Sequence, residues 1–338
     1  MEVLDVKEIP THVFQLKHRH DTASKSLALV IPGSPGMGHF YIPFATRLFQ
    51  LGGGSYDIAI VSHAGHSPGF LRPTTVEHHR QAGDFSGKSV EKPEATNMPN
   101  THDDGGSSLD ATQHSATISE DRDWYCLEEQ IAHKLAFIEQ YASHVDTVYL
   151  IGHSIGSWIV LQMMKVIEPS KVKKIVLLFP TIELMGETPK GILLAPLFSS
   201  LRLPFTFGVW CLSWIPDAAK RFLLKHHFYT TPDDQVRHMT QGAINIDSKA
   251  IHNVLCMAKQ EMAEVTLPPL EVIDAHIDKI VFYYGVGDKW NIDSCYSNMC
   301  ERYPDHEEVH LCKQGYAHAF VETSSNEMAK FVFSKILP

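Results

Sequence analysis

The sequence predicts an α/β fold with a mostly parallel central sheet flanked by helices, and three observations carry that prediction. Short apolar runs such as Leu27–Ile31 and Lys174–Phe179 end abruptly in turn residues, as strands buried on both faces do. Segments with helical periodicity separate those runs, and alternation of the two argues for a parallel sheet covered on both sides. The run Val148–Ile151 passes through Gly152-His153-Ser154-Ile155-Gly156 straight into a helical pattern of Trp158, Ile159, Leu161, Gln162 and Met163.

The first buried strand is Leu27–Ile31, closed by the turn Pro32-Gly33-Ser34-Pro35-Gly36. His39–Leu51 reads as a helix with Phe40, Phe44, Leu48 and Leu51 on one face, and Pro43 stands early enough in it to be tolerated. Asp57–Ser62 is a second strand, followed by the turn-rich His63–Pro68. From 70 to 121 the texture changes to Ser, Thr, Asn, Asp, Gly, Glu and His with few large apolar residues. Such a stretch cannot offset an ordering entropy of about 1–2 kcal/mol per residue, so a disordered or loosely packed surface insertion is expected. Trp124–Tyr141 resumes as a helix; strands at 174–179, 279–284 and 308–312 and a helix at 320–336 complete the set. The whole of 1–338 is read as a single domain with two insertions, the polar one at 70–121 and an apolar one at 184–278.

Composition narrows the function. The chain is 44% hydrophobic and 20% charged, an ordinary globular balance. A formal net charge of −10 without any Lys/Arg-rich block gives nucleic-acid binding no support. Its six cysteines form no Cys-x-x-Cys pair or zinc-ligand spacing, so free thiols are expected. The 21 histidines are scattered and include no His-Glu-x-x-His; neither metal nor cofactor is expected. Met1–Pro10 has no apolar signal core, and no secretory targeting is expected from it.

Strand, Gly-x-Ser-x-Gly, helix is the arrangement of a nucleophile elbow, in which a sharp turn exposes a serine hydroxyl at the carboxyl edge of a sheet. Ser154 is therefore the candidate nucleophile. A serine needs a base within hydrogen-bond reach, and the base needs a carboxylate to orient it. On such folds the partners follow in the order serine, acid, histidine. Asp288 follows the strand at 280–284 in Gly285-Val-Gly-Asp288, with Glu183 and Asp293 as rival acids. His318 follows the strand ending at Cys312; its rivals His306 and His310 lie before and within that strand. Oxyanion donors are expected from the N–H of Ile155 and, because Pro35 has none, from the N–H of Ser34, with Gly33 as the second choice. His153 is expected to pack under the elbow, and His63 and His66 to line the pocket or pack in their loop.

The first half of the insertion at 184–278 is strongly apolar from Gly191 to Pro216, and Lys220, Arg221, Lys225, His226 and His227 follow it. Pro196 and Pro204 divide the run and Arg202 interrupts it, against a single spanning helix of about 20 apolar residues. A cap over the active site that also touches lipid is expected, with Phe205, Trp210 and Trp214 at the boundary and the basic side chains near headgroups.

Several boxes together carry a family resemblance: Pro32-Gly-x-Pro-Gly36, Ser62-His-Ala-Gly-His66, Gln130-Ile-Ala-His-Lys-Leu-Ala-Phe137, Gly152-His-Ser-Ile-Gly156, Leu178-Phe-Pro-Thr-Ile-Glu183 and Ala317-His-Ala-Phe320. Through them the chain resembles the lipid-droplet-associated serine hydrolases, from about Ile9 to its carboxyl end. The resemblance implies an α/β-hydrolase fold with Ser154, Asp288 and His318 as the triad. It also implies association with lipid droplets and the cytosolic face of the endoplasmic reticulum, and hydrolysis of neutral-lipid esters, sterol esters being the suggested substrate. The polar insertion is longer than the family pattern leads one to expect. Two other readings keep the same residues: a lipid-droplet surface protein with slow or incidental hydrolysis, and a thioesterase or amidase using the same triad.

Overall fold

The computed structural model describes residues 1–17, 25–66, 125–227, 233–244 and 247–336; the polar insertion read at 70–121 lies outside them. The sheet is built from β1 (Glu2–Val6), β2 (Ile9–Leu16), β3 (Ser26–Ile31), β4 (Asp57–Val61), β5 (Thr147–His153), β6 (Val172–Leu178), β7 (Ile280–Gly285) and β8 (Val309–Cys312). Their spatial order is β1-β2-β4-β3-β5-β6-β7-β8. From β4 to β8 all pairs are parallel, and only β1–β2 and β2–β4 run antiparallel. The two antiparallel strands at one edge were not foreseen. Their hairpin turns on Lys7 and Glu8, both with positive φ (54° and 65°), where a two-residue loop of this kind normally carries Asn-Gly.

Alternate residues of the parallel strands feed two cores, which is the period-2 consequence of a sheet buried on both faces. Leu27, Leu29 and Ile31 of β3 face one core; Ala28 and Val30 face the other. The first is covered by α2 (Leu127–Tyr141) and α3 (Ile155–Met163), through Phe137, Ile159 and Leu161. The second is covered by α1 (Ile42–Gly52), through Phe44 and Leu48, and by the carboxyl-terminal helix Ser325–Ile336, through Met328 and Val332. Both helix starts differ from the sequence reading. A 3-10 turn at Gly38–Tyr41 precedes α1, and another at Phe320–Glu322 precedes the last helix. Pro43 sits at the start of α1, where a missing N–H is harmless.

Between β6 and β7 the chain forms α4 (Pro189–Phe198), α5 (Arg202–Ser213), α6 (Asp217–His227), α7 (Asp233–Ile244), α8 (Ser248–Glu264) and α9 (Leu270–His276). The two prolines act as their positions dictate. Pro196 falls near the end of α4 and Pro204 in the first turn of α5, and the two helices meet at a bend of 77°. Helix α10 (Asp293–Arg302) follows β7 and packs Cys295 and Met299 on the first core; the last helix is then α11. All six cysteines are free thiols.

Candidate active site

Ser154 sits between the end of β5 and the start of α3 with φ 53° and ψ −127°, a conformation that costs a non-glycine residue roughly 1–3 kcal/mol. The surroundings hold it there. Its N–H donates to Leu178 O at 3.0 Å, and its carbonyl accepts from the N–H groups of Ser157 (2.9 Å) and Thr181 (3.4 Å). The glycine after it permits close packing: a Cβ on Gly156 would lie 2.3 Å from Ile31 O and 2.6 Å from Pro32 O. On the other side, a Cβ on Gly33 would come within 2.7 Å of Ser154 Cβ, so the first turn also presses on the elbow.

The structure brings His318 and Asp288 to this serine. His318 Nε2 lies 2.9 Å from Ser154 Oγ, and His318 Nδ1 lies 2.6 Å from Asp288 Oδ2. The Asp288 side chain is nearly inaccessible at 3% exposure, and its Oδ1 accepts from the Trp290 N–H at 2.9 Å. Burial alone would raise the Asp288 pKa; the hydrogen bond and charge of His318, with the Trp290 N–H, pull it below the ordinary carboxylate value. A hydroxyl bonded to an imidazole, itself bonded to a buried carboxylate, can pass its proton to the ring as the oxygen attacks.

The rivals are occupied elsewhere. Glu183 is buried against Cys295, and burial raises its pKa despite the thiol hydrogen bond. Asp293 lies in the first turn of α10. His306 bonds Ile280 O at 2.8 Å, and His310, in β8, bonds Glu308 at 2.7 Å. His63 and His66 are both buried and belong to the loop after β4, not to the cavity wall.

His153 does more than pack. Its Nε2–H donates to the His318 carbonyl at 2.8 Å, and its Nδ1 accepts from the Tyr41 hydroxyl at 2.6 Å. That hydroxyl in turn accepts from the Gly33 N–H at 2.7 Å, which fixes the direction of the chain and the His153 tautomer. Burial, then the nearby His318 charge, holds the His153 pKa down to about 3, although its bond to the His318 carbonyl opposes this; the ring is neutral near pH 7. The Gly33 N–H is thereby engaged, while among the described residues the Ser34 N–H has no hydrogen-bond partner. Ile155, at the start of α3, is fully buried behind the serine. Sequence reasoning missed Tyr41, whose only signal is an aromatic residue shortly after the Pro-Gly turn.

A cavity of about 350 Å³ opens beside Ser154 and His318. Ser34, Tyr41 and His153 line its floor, and much of the remaining wall is apolar: Met185, Leu194, Phe198, Ala258 and Trp290. Phe205, Trp210 and Trp214, expected at a lipid boundary, lie on α5 and its end, with exposures of 44%, 46% and 76%.

Comparison with known proteins adds to this geometry. The family model described as "Lipid-droplet associated hydrolase" matches residues 103–321. The chain is 32% identical to the lipid droplet-associated hydrolase of Gallus gallus, over 90% of this chain and 83% of that one. It is 30% identical to the human protein of that name (91% and 83% covered) and 28% identical to that of Drosophila melanogaster (97% and 95%). Among solved structures, an esterase from Exiguobacterium antarcticum aligns with a TM-score of 0.56 at 12% identity, covering 99% of this chain and 98% of its own. A laboratory-evolved potato epoxide hydrolase aligns at 0.57 and 13% identity, covering 98% and 97%. At such identities the solved structures speak for the α/β-hydrolase fold alone.

Proposed function

The chain belongs to the lipid-droplet associated hydrolase family, and on that premise we propose that it hydrolyses lipid esters, sterol esters among them, by a Ser-His-Asp acyl-enzyme route. The observation that most supports this reading is the unbroken hydrogen-bonded line from Ser154 Oγ through His318 to Asp288, at 2.9 and 2.6 Å, in a largely apolar cavity. Ser154 Oγ attacks the ester carbonyl as its proton passes to His318 Nε2. The amides of Ile155 and Ser34 hold the oxyanion, a contribution of about 10²–10³ per donor in turnover. The C–O bond to the alcohol then breaks, and His318 returns the proton to the leaving oxygen. Water repeats the sequence on the acyl-serine: its proton goes to His318, its oxygen to the carbonyl carbon, and Ser154 recovers a proton as the fatty acid leaves.

The expected working place is the surface of a lipid droplet and the cytosolic face of the endoplasmic reticulum. Helix α5 supports this reading, because none of its residues is buried although its sequence is predominantly apolar. Phe205, Trp210 and Trp214, with Ile192 and Leu193 of α4, are exposed apolar side chains of the sort that lies in a lipid interface. No single helix among the described residues is long and apolar enough to cross a membrane, but the bent α4–α5 pair has the length and composition to dip into one. Those exposed side chains also favour the second reading, a droplet surface protein with slow hydrolysis.

A fluorophosphonate probe should label the wild-type protein and leave Ser154→Ala unlabelled. Undiminished labelling of the variant would remove Ser154 as nucleophile. Restoration of a cellular lipid phenotype by Ser154→Ala would favour the surface-protein reading. Comparing turnover of a sterol ester, an acyl-CoA and an acyl amide separates the ester reading from thioesterase and amidase activity.

A further inference from the structure

Helix α8 presents Val254, Ala258, Glu261 and Met262 to the cavity, positions spaced four, seven and eight apart and therefore on one helical face. Three of the four continue the apolar wall; Glu261 does not. It is 3% exposed, and its Oε1 is shielded from solvent with no hydrogen-bond partner among the described residues. Burial raises its pKa to about 8, so at neutral pH the group is a carboxylic acid, with an O–H to donate and a carbonyl to accept.

Buried polar groups are nearly always paired, and an unpaired one in a native structure asks for a partner. Here the same residue lines the cavity that holds Ser154 and His318, so a bound substrate is placed to supply it. The donor-plus-acceptor character of a neutral carboxyl matches an uncharged hydroxyl, which has the same dual character. It offers nothing to a hydrocarbon chain, and the apolar wall disfavours a charged group. We propose that Glu261 selects lipid esters bearing a free hydroxyl on their hydrocarbon body, pairing with that hydroxyl while the ester carbonyl lies at Ser154. The proposal rests on the hydrolase reading above and names a substrate class within it.

Two matched pairs test it: methyl 12-hydroxystearate against methyl stearate, with the hydroxyl on the acyl side, and diacylglycerol against triacylglycerol, with the hydroxyl on the alcohol side. In at least one pair the wild type should favour the hydroxylated ester by about tenfold or more in kcat/KM, the scale of one buried hydrogen bond. Glu261→Gln, which keeps a donor and an acceptor, should retain most of that preference, and Glu261→Leu should abolish it. Equal ratios in wild type and Glu261→Leu in both pairs would overturn the proposal. A binding arm keeps it separable from the catalytic reading. In the Ser154→Ala background, displacement of a fluorescent fatty ester by each lipid should show the same hydroxyl preference, lost on adding Glu261→Leu. If the wild type turns over neither pair while this binding preference is present, the hydrolase reading fails and the selection stands. If turnover is present and the preference is absent from both arms, the selection fails and the hydrolase reading stands.

Discussion

A carboxyl group held neutral inside a protein changes the pH dependence of stability, and Glu261 makes that change measurable. In the unfolded chain it ionises near its ordinary value of 4.5, whereas in the folded protein burial raises this to about 8. Below 4.5 both states hold the proton, and the group does not oppose folding through ionisation. From there the unfolded state loses its proton first, so the wild type loses stability as pH rises, until the loss is complete above about 8. At about 1.4 kcal/mol per unit, the interval of 3.5 units sets an upper limit of about 5 kcal/mol. Glu261→Gln has no proton to exchange. Urea denaturation of both proteins at pH 5 and pH 8 should show the variant gaining at least about 2 kcal/mol on the wild type between the two conditions. The other ionisable groups of the cavity, Tyr41, His153, His318 and Glu322, are common to both proteins and cancel in the comparison. Parallel stability curves would refute the reasoning, because they would mean that Glu261 ionises alike in the folded and unfolded states.

Three more expectations concern the elbow, the acid and the cap. Gly156→Ala drives a methyl group into Ile31 O and Pro32 O, so fluorophosphonate labelling should fall at least tenfold and the melting midpoint by a few degrees, as overpacking by about 1–3 kcal/mol implies; unchanged labelling would show that the turn has room to spare. Asp288→Asn should lower ester turnover by about 10³–10⁴ and Glu183→Gln by little, since of these two acids it is Asp288 that meets His318; the reverse ranking would move the acid to Glu183. Replacing Trp210 and Trp214 together by Ala should reduce flotation with neutral-lipid emulsions by about tenfold or more, from roughly 1.5–3 kcal/mol per large apolar side chain withdrawn; equal flotation would place lipid contact elsewhere.

The parallel sheet and the serine–acid–histidine constellation were legible because their signals are local and ordered. An apolar run ending in Gly-His-Ser-Ile-Gly marks a turn, and Asp288 and His318 each follow the end of a later strand. The β1–β2 hairpin was not legible, because Lys7 and Glu8 occupy left-handed positions with nothing in their chemistry to announce a turn. The partnership of Tyr41 with His153 spans 112 residues and is fixed by how the 3-10 turn before α1 meets the end of β5, which no local pattern encodes. Glu261 looks like any solvated glutamate in a helix. Only the tertiary fold, which sets that face of α8 against the cavity, turns it into a buried acid.

The imidazole of His153 also acts as a common datum for three parts of the chain distant in sequence: the elbow that carries it, the first loop reached through Tyr41 and Gly33, and the histidine loop reached through the His318 carbonyl. Positional errors in those parts are therefore shared rather than independent. Residue 153 cannot be exchanged alone, since a side chain that no longer meets Tyr41 leaves the buried O–H of that tyrosine without an acceptor and slackens two loops at once. Functional variants at 153 should accordingly need a matched change at 41, and a transplant of this elbow into another scaffold would have to carry both.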